Sequence, residues 1–354
     1  MTIATSARAA EPEIATDPVE AIARAVLYEG YVLWPYRRSA TKNRRRFTFG
    51  GVYPRGFCEE AREADRWRIR CECLVAGPAT ASIEVELRCL QAVHRQVLAG
   101  AGDDLRPVDE LSHGGQRHLT WDEAADRRHP LPAASIERLA AAPLTAAVAL
   151  PAGSADEPIA GGGEDDGREA GRFRRSWRAL RGAFEIAAEP IEGDLHRVSV
   201  RLENTHTWRG ADRDEAQRRS FLSTHLVLRV GVDAGFVSLT DPPPEHEAAA
   251  AGCTNDGVWP VLVGPRDQRQ VLLASPIILE DHPRVAPESP GDLFDGGEID
   301  QLLTLSILAL TDEEKDEMRA TDPRVREILE RTERLGRDQL MRLHGTFRDP
   351  RGRW

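Results

Sequence analysis

The stretch Trp67-Arg68-Ile69-Arg70-Cys71-Glu72-Cys73-Leu74-Val75 decides the fold. Its apolar residues fall on odd positions and nearly all of its charges on even ones. Successive side chains of an extended chain point to opposite faces, so this alternation describes a strand with one buried and one solvated face. Ile83-Glu84-Val85-Glu86-Leu87-Arg88-Cys89 repeats the pattern. Two half-buried antiparallel strands are expected, paired through the turn signal at Gly77-Pro78.

Outward from this pair, strands are predicted over 194–203, with Val198, Val200 and Leu202 inward, and over 222–232, with Leu226, Leu228, Val230 and Val232 inward. Shorter candidates are 236–240, 258–263 and 270–279. Helices are predicted at the two ends. Asp17-Pro18-Val19-Glu20 reads as a cap, a proline at the first helical position and an acid in the first turn. Thr311-Asp312-Glu313-Glu314 is a capping box, and Asp322-Pro323 opens a further helix. Helical patterns over 298–310 and 338–343 complete the C-terminal end. The expected fold class is α+β: a β-rich antiparallel sandwich-like body with an N-terminal helix and a C-terminal helical segment. Residues 1–16 read as a disordered tail. A first β-rich half spans 17–150 and a second 171–290, with the Gly/Asp-rich run 151–170 as a flexible loop between them and the helical segment over 291–354.

The chain has 354 residues, with 47 Lys+Arg against 58 Asp+Glu, a formal net charge of −11. That balance argues against a general nucleic-acid or anionic-membrane binder, because both partners would be repelled. No window reaches the ~18 uninterrupted apolar residues of a membrane helix. The N-terminus lacks the cationic start and apolar stretch of a signal peptide, so a cytoplasmic location is expected. Five scattered cysteines fit a reducing compartment better than a disulfide framework.

Four groups of residues could carry chemistry. Cys71, Cys73 and Cys89 project from apolar strand faces, where a metal or redox cluster is geometrically possible and a buried core role is favoured. Trp34, Tyr36, Arg37, Arg38, Lys42, Arg44, Arg45 and Arg46, followed by Phe47, Phe49 and Tyr53, interleave basic and aromatic side chains. Such a run can seat an anion, dock on an acidic protein partner or stack bases, and net charge disfavours nucleic acid. Asp281, His282, Glu288, Asp292 and Asp295 lie on a loop punctuated by proline and glycine. These oxygen donors and one imidazole suit a divalent metal, although helix capping and loop rigidity explain several of the acids more simply. Finally, His225, placed on the polar side of its strand, and Cys253, in a turn, could act as base and nucleophile if the fold joined them. No G-x-G-x-x-G after a strand, P-loop, H-E-x-x-H or G-x-S-x-G is present.

The stretches VLYEGYVLWPYRRSATKNRRRFTFGGVYP (26–54), FVSLTDPP (236–243) and ASPIILEDHPRVAPESPGDLFDGGEIDQLLTLSILALTDEEKDEMRATDPR (274–324) carry a likeness, together with QLMRLHG (339–345). They resemble a bacterial protein family encoded beside nickel–iron hydrogenase genes. The resemblance implies a setting, namely assembly, maturation or stabilisation of a nickel–iron enzyme, and supplies no catalytic residue. The expectation is therefore a non-enzymatic accessory protein that binds a hydrogenase subunit or maturation factor. The alternative is a metal-binding protein or metal-dependent enzyme using the 281–300 acidic loop.

Overall fold

The computed structural model describes residues 18–28, 31, 47, 49–61, 65–160, 169–284 and 305–335. In chain order its strands are β1 (Arg68–Ala76), β2 (Ser82–Ala99), β3 (Arg106–Val108), β4 (Glu110–His113), β5 (Gln116–Leu119), β6 (Trp121–Pro130), β7 (Ala134–Ser135) and β8 (Leu144–Leu150). These are followed by β9 (Gly153–Ala160), β10 (Glu169–Trp177), β11 (Leu180–Glu192), β12 (Leu195–Asn204), β13 (Leu222–Val230), β14 (Gly235–Val237), β15 (Trp259–Leu262) and β16 (Val271–Ser275). The helices are α1 (Pro18–Leu27), α2 (Arg55–Ala61), α3 (Ile136–Ala141), α4 (Arg213–Gln217), α5 (Glu247–Ala251), α6 (Asp312–Thr321) and α7 (Pro323–Glu333).

Two antiparallel sheets pack face to face. One has the order β14-β1-β12-β11-β8. The other runs β15-β16-β13-β2-β10-β9, with β3, β6 and β7 also paired to β2. The alternating residues meet between the sheets. Ile69, Cys71, Cys73 and Val75 from β1 share one buried cluster with Val85, Leu87 and Cys89 from β2, Phe184 and Ile186 from β11, and Leu226 and Leu228 from β13.

The two strands expected to form a hairpin do not pair. β1 bonds to β12 and β14, whereas β2 bonds to β13, β6 and β10. Each carries an apolar face, and stacking those faces across the sandwich buries both; side-by-side pairing would have left both needing a second layer. Gly77, at φ 154°, lets the chain leave one sheet for the other.

The run 151–170 is also not a loop throughout. Gly153–Ala160 is an edge strand antiparallel to β10, with Asp156 bonded to Arg174 at 3.0 and 3.1 Å. Its polar, Gly- and Ala-rich composition belongs to a solvent-facing edge, which composition alone does not separate from a loop. Residues 161–168 lie outside the described set. Each sheet mixes strands from both sides of this run. Val232, expected inward, is 97% exposed because β13 stops at Val230.

α1 lies on the outer face of β13 and β16, where Val19, Ile22, Ala23 and Val26 bury Val227 and Leu273. Glu20 on that helix receives Arg88 at 2.7 Å and also pairs with Arg128. At the other end Thr311 and Glu314 form the predicted capping box, and Met318, Val325 and Leu329 join Ile307 in a small helical core. One tie between these helices and the sheets is Arg95 of β2, only 4% exposed. Its guanidinium donates to Glu123 at 2.8 Å and to the carbonyls of Ala320 and Thr321, at the C-terminus of α6, at 2.9 and 2.8 Å. The last carbonyls of a helix have no partner within it and carry its negative end, so a buried cation satisfies both needs.

Candidate functional site

The even-numbered side chains of β1 point away from the core, and two of them, Arg68 and Arg70, line a concavity on the outer face of the sheet. Arg68, Ile69, Arg70, Arg201, Thr254 and Asp256 line a pocket of about 220 Å³. Its floor is the β1–β12 pair, in which Arg70 stands directly opposite Arg201. Its rim is the turn Cys253-Thr254-Asn255-Asp256-Gly257, latched to β1 like a short extra strand. Arg70 and Asp256 exchange backbone hydrogen bonds of 2.9 and 2.8 Å. The Asn255 side chain accepts from the Glu72 amide at 2.8 Å, and Glu72 accepts from the Thr254 amide at 2.5 Å.

Like charges directly across an antiparallel pair repel, so Arg70 opposite Arg201 needs compensation. Some is local: Arg70 pairs with Glu72, Arg201 with Glu185 at 3.1 Å, and Arg66 with Asp256 at 2.7 Å. Arg68 has no carboxylate partner among the described residues. Its guanidinium lies 4.9 Å from the centroid of the Trp67 ring, on which Arg55 also sits at 4.8 Å. Planar guanidinium groups present forked donors that match a carboxylate or another small oxyanion. Arg68, Arg70 and Arg201 thus bring such donors to a pocket that is also lined by Asp256, with a tryptophan beside Arg68.

The residues singled out from the sequence are dispersed. Cys71, Cys73 and Cys89 are fully buried in the inter-sheet core, and burial pushes all three thiols far up. No group of three or more His, Cys, Asp or Glu side chains that could hold a metal occurs among the described residues. His225 is not on a polar surface: it is 0% exposed. Its side of β13 faces α1, not water, which is the physical reason the alternation misleads. A bulge between Leu222 and His225, with Ser223 at φ 45°, sets this register. The imidazole meets the Ser223 carbonyl at 2.7 Å and the Ser275 hydroxyl at 3.2 Å. Burial lowers its pKa to about 4, and nearby Arg88 acts in the same direction.

Cys253 packs with Leu74, Leu195 and Val237 on the outside of the other sheet, so the sandwich core separates it from His225. Burial raises its thiol pKa, against the opposing influence of Arg197. Asp281 uses both carboxylate oxygens to fix the backbone: one accepts from the Leu262 amide at 2.8 Å, the other from the Ser238 hydroxyl. His282, at φ 55°, places one ring nitrogen 3.0 Å from the Gly264 carbonyl. Glu288, Asp292 and Asp295 lie outside the described residues, as do Trp34, Tyr36 and the basic run Arg37–Arg46. Of the aromatics that flank this run, Phe47 and Tyr53 are buried and Phe49 is exposed.

One further row was hidden in the sequence. Asp122, His94 and Ser176 occupy directly paired positions on β6, β2 and β10. His94 contacts Asp122 at 2.7 Å, and Arg218 reaches Asp122 at 3.2 Å. A guanidinium beside that carboxylate opposes the imidazolium a nucleophilic triad would have to form, and suits an ion-pair lattice instead. Neither a family model nor a curated protein sequence matches the chain.

Proposed function

We propose that this chain is a non-enzymatic accessory protein that binds a protein partner, and that an acidic group of that partner seats in the Arg68–Arg70–Arg201 pocket. One observation carries the reading: two arginines held face to face in register, with a third that has no carboxylate partner among the described residues, around a concavity of about 220 Å³. An arriving carboxylate would relieve their repulsion and gain forked hydrogen bonds. The polar groups elsewhere are engaged in holding the fold, as Asp281 and His225 illustrate.

The proposed partner is a nickel–iron hydrogenase subunit or maturation factor, supported by the resemblance over 26–54, 236–243, 274–324 and 339–345. Deleting the gene in a hydrogenase-producing host should lower assembled hydrogenase, and the tagged chain should restore it and co-purify with a hydrogenase component. Normal hydrogenase assembly in the deletion strain, with no hydrogenase component recovered, would overturn the assignment.

A further inference from the structure

Every sheet edge is an invitation to pair with another chain, and folded proteins usually blunt it with charge, proline, shortness or a covering segment. Four described edges here are blunted. β6 carries Asp126, Arg127, Arg128 and Pro130, and β9 carries Asp156, Glu157 and Pro158. β15 contains Pro260, and the amide and carbonyl of its Leu262 are taken by Asp281 and by the His282 amide. β14 has only 3 residues, its Phe236 amide donates to Arg269, and beyond it the 254–257 turn covers β1.

β8 is different. Leu144-Thr145-Ala146-Ala147-Val148-Ala149-Leu150 has 7 residues, no charge, no proline and no bulge, and it pairs with β11 alone. Among the described residues nothing hydrogen-bonds to its other edge. Thr145, Ala147 and Ala149 are exposed, and Leu144, Ala146 and Leu150 are only partly buried at the rim of the core.

We propose that β8 pairs antiparallel with β8 of a second copy about a two-fold axis at Ala147, joining the two five-stranded sheets into one continuous sheet. The sequence is self-complementary in this register. On the core side Leu144 meets Leu150 of the second copy and Ala146 meets Val148, extending the rows that begin at Ile186 and Phe184. On the outer side Thr145 meets Ala149. That row carries Glu185 at one end and Arg181 of the second copy at the other, because β11 places Glu185 beside Thr145 and Arg181 beside Ala149. The two-fold repeats the pair. Strands ~4.8 Å apart put the two β11 backbones about 14 Å apart, with only small side chains between, so a long Arg and a Glu can approach over them. Arg181 has no carboxylate partner among the described residues of its own copy. Charge and apolar pattern are thus both satisfied by a second copy, an isologous interface of the commonest kind. The arginine pocket lies on the β1–β12 pair of the same sheet, two strands from β8, and Glu185, which pairs with Arg201 at 3.1 Å, stands between the two.

Sedimentation equilibrium of the full chain at micromolar concentrations tests it. The expected result is a reversible dimer that Ala147→Lys converts to monomer, since the change sets two cations face to face on the axis while leaving an exposed position in each folded copy. Circular dichroism of the variant should be unchanged. Ala147→Cys should give a disulfide-linked dimer on mild oxidation, and Val232→Cys, exposed elsewhere, should not. A wild-type chain that stays monomeric with no cross-link at 147, or a dimer that survives Ala147→Lys, would overturn the proposal.

Discussion

Replacing Arg95 by Met keeps most of the side-chain stem and removes only the guanidinium. Four acceptors then lose a donor: Glu123 and the carbonyls of Leu119, Ala320 and Thr321, at 2.8 to 3.2 Å. Glu123 retains Arg175 at 2.7 Å, so its charge is not left bare. The carbonyls have no such substitute, and a buried unsatisfied acceptor costs ~1–3 kcal/mol. Three such carbonyls set the expected loss for Arg95→Met at roughly 3 kcal/mol or more. The loss should also be uneven. Arg95 closes the C-terminus of α6 onto β2, so the helical pair α6–α7 should loosen before the sandwich does. Urea unfolding followed by circular dichroism measures the total. Limited proteolysis, with cleavage sites read by mass spectrometry, should show new cuts within 312–335 under native conditions. Arg95→Lys should recover little, because an ammonium cannot span the same forked set. A loss under about 0.5 kcal/mol, the ordinary range of surface substitutions, with no new cuts, would refute the assignment of Arg95 as the clamp.

Two further outcomes follow from burial. His225 has a folded pKa of about 4 against an ordinary 6.5, so below pH 6.5 the unfolded chain takes up a proton that the folded chain refuses. Its stabilising contribution is complete above pH 6.5 and falls towards pH 4, by ~1.4 kcal/mol per pH unit and about 3 kcal/mol in all. Stability measured by urea at successive pH values should show this slope, and His225→Gln should flatten it; identical slopes would contradict the buried neutral imidazole. Thiol titration offers the second check. Cys71, Cys73 and Cys89 should react with a thiol reagent only after unfolding, while the half-buried Cys58 and Cys253 react slowly in the native state. Rapid native labelling of Cys71 or Cys73 would remove them from the core.

The β-rich character was legible wherever one strand face meets the core and the other meets solvent. Ile69, Cys71, Cys73 and Val75 are all buried, as their alternation requires. The capping box at Thr311 was legible because its chemistry is local. Pairing was not, since alternation says which residues face inward and nothing about which strand lies alongside. The expected β1–β2 hairpin failed for that reason. His225 was misplaced because α1 covers a face that sequence alternation treats as solvent. The arginine pocket depends on register across β1 and β12, two strands far apart in the chain, so Arg70 and Arg201 gave no joint signal in the sequence. The edge strand β9 was masked by composition shared with loops.

Recognition of a protein partner through the arginine pocket is the proposal on which the functional reading stands. The most direct test compares the tagged wild-type chain with the Arg70→Gln/Arg201→Gln variant, both expressed in a hydrogenase-producing host, by quantitative co-purification and mass spectrometry. The expected result is a hydrogenase component enriched with the wild type and lost with the variant, while the variant keeps its circular dichroism and melting temperature. Equal recovery of that component by both proteins, or recovery by neither, would contradict it.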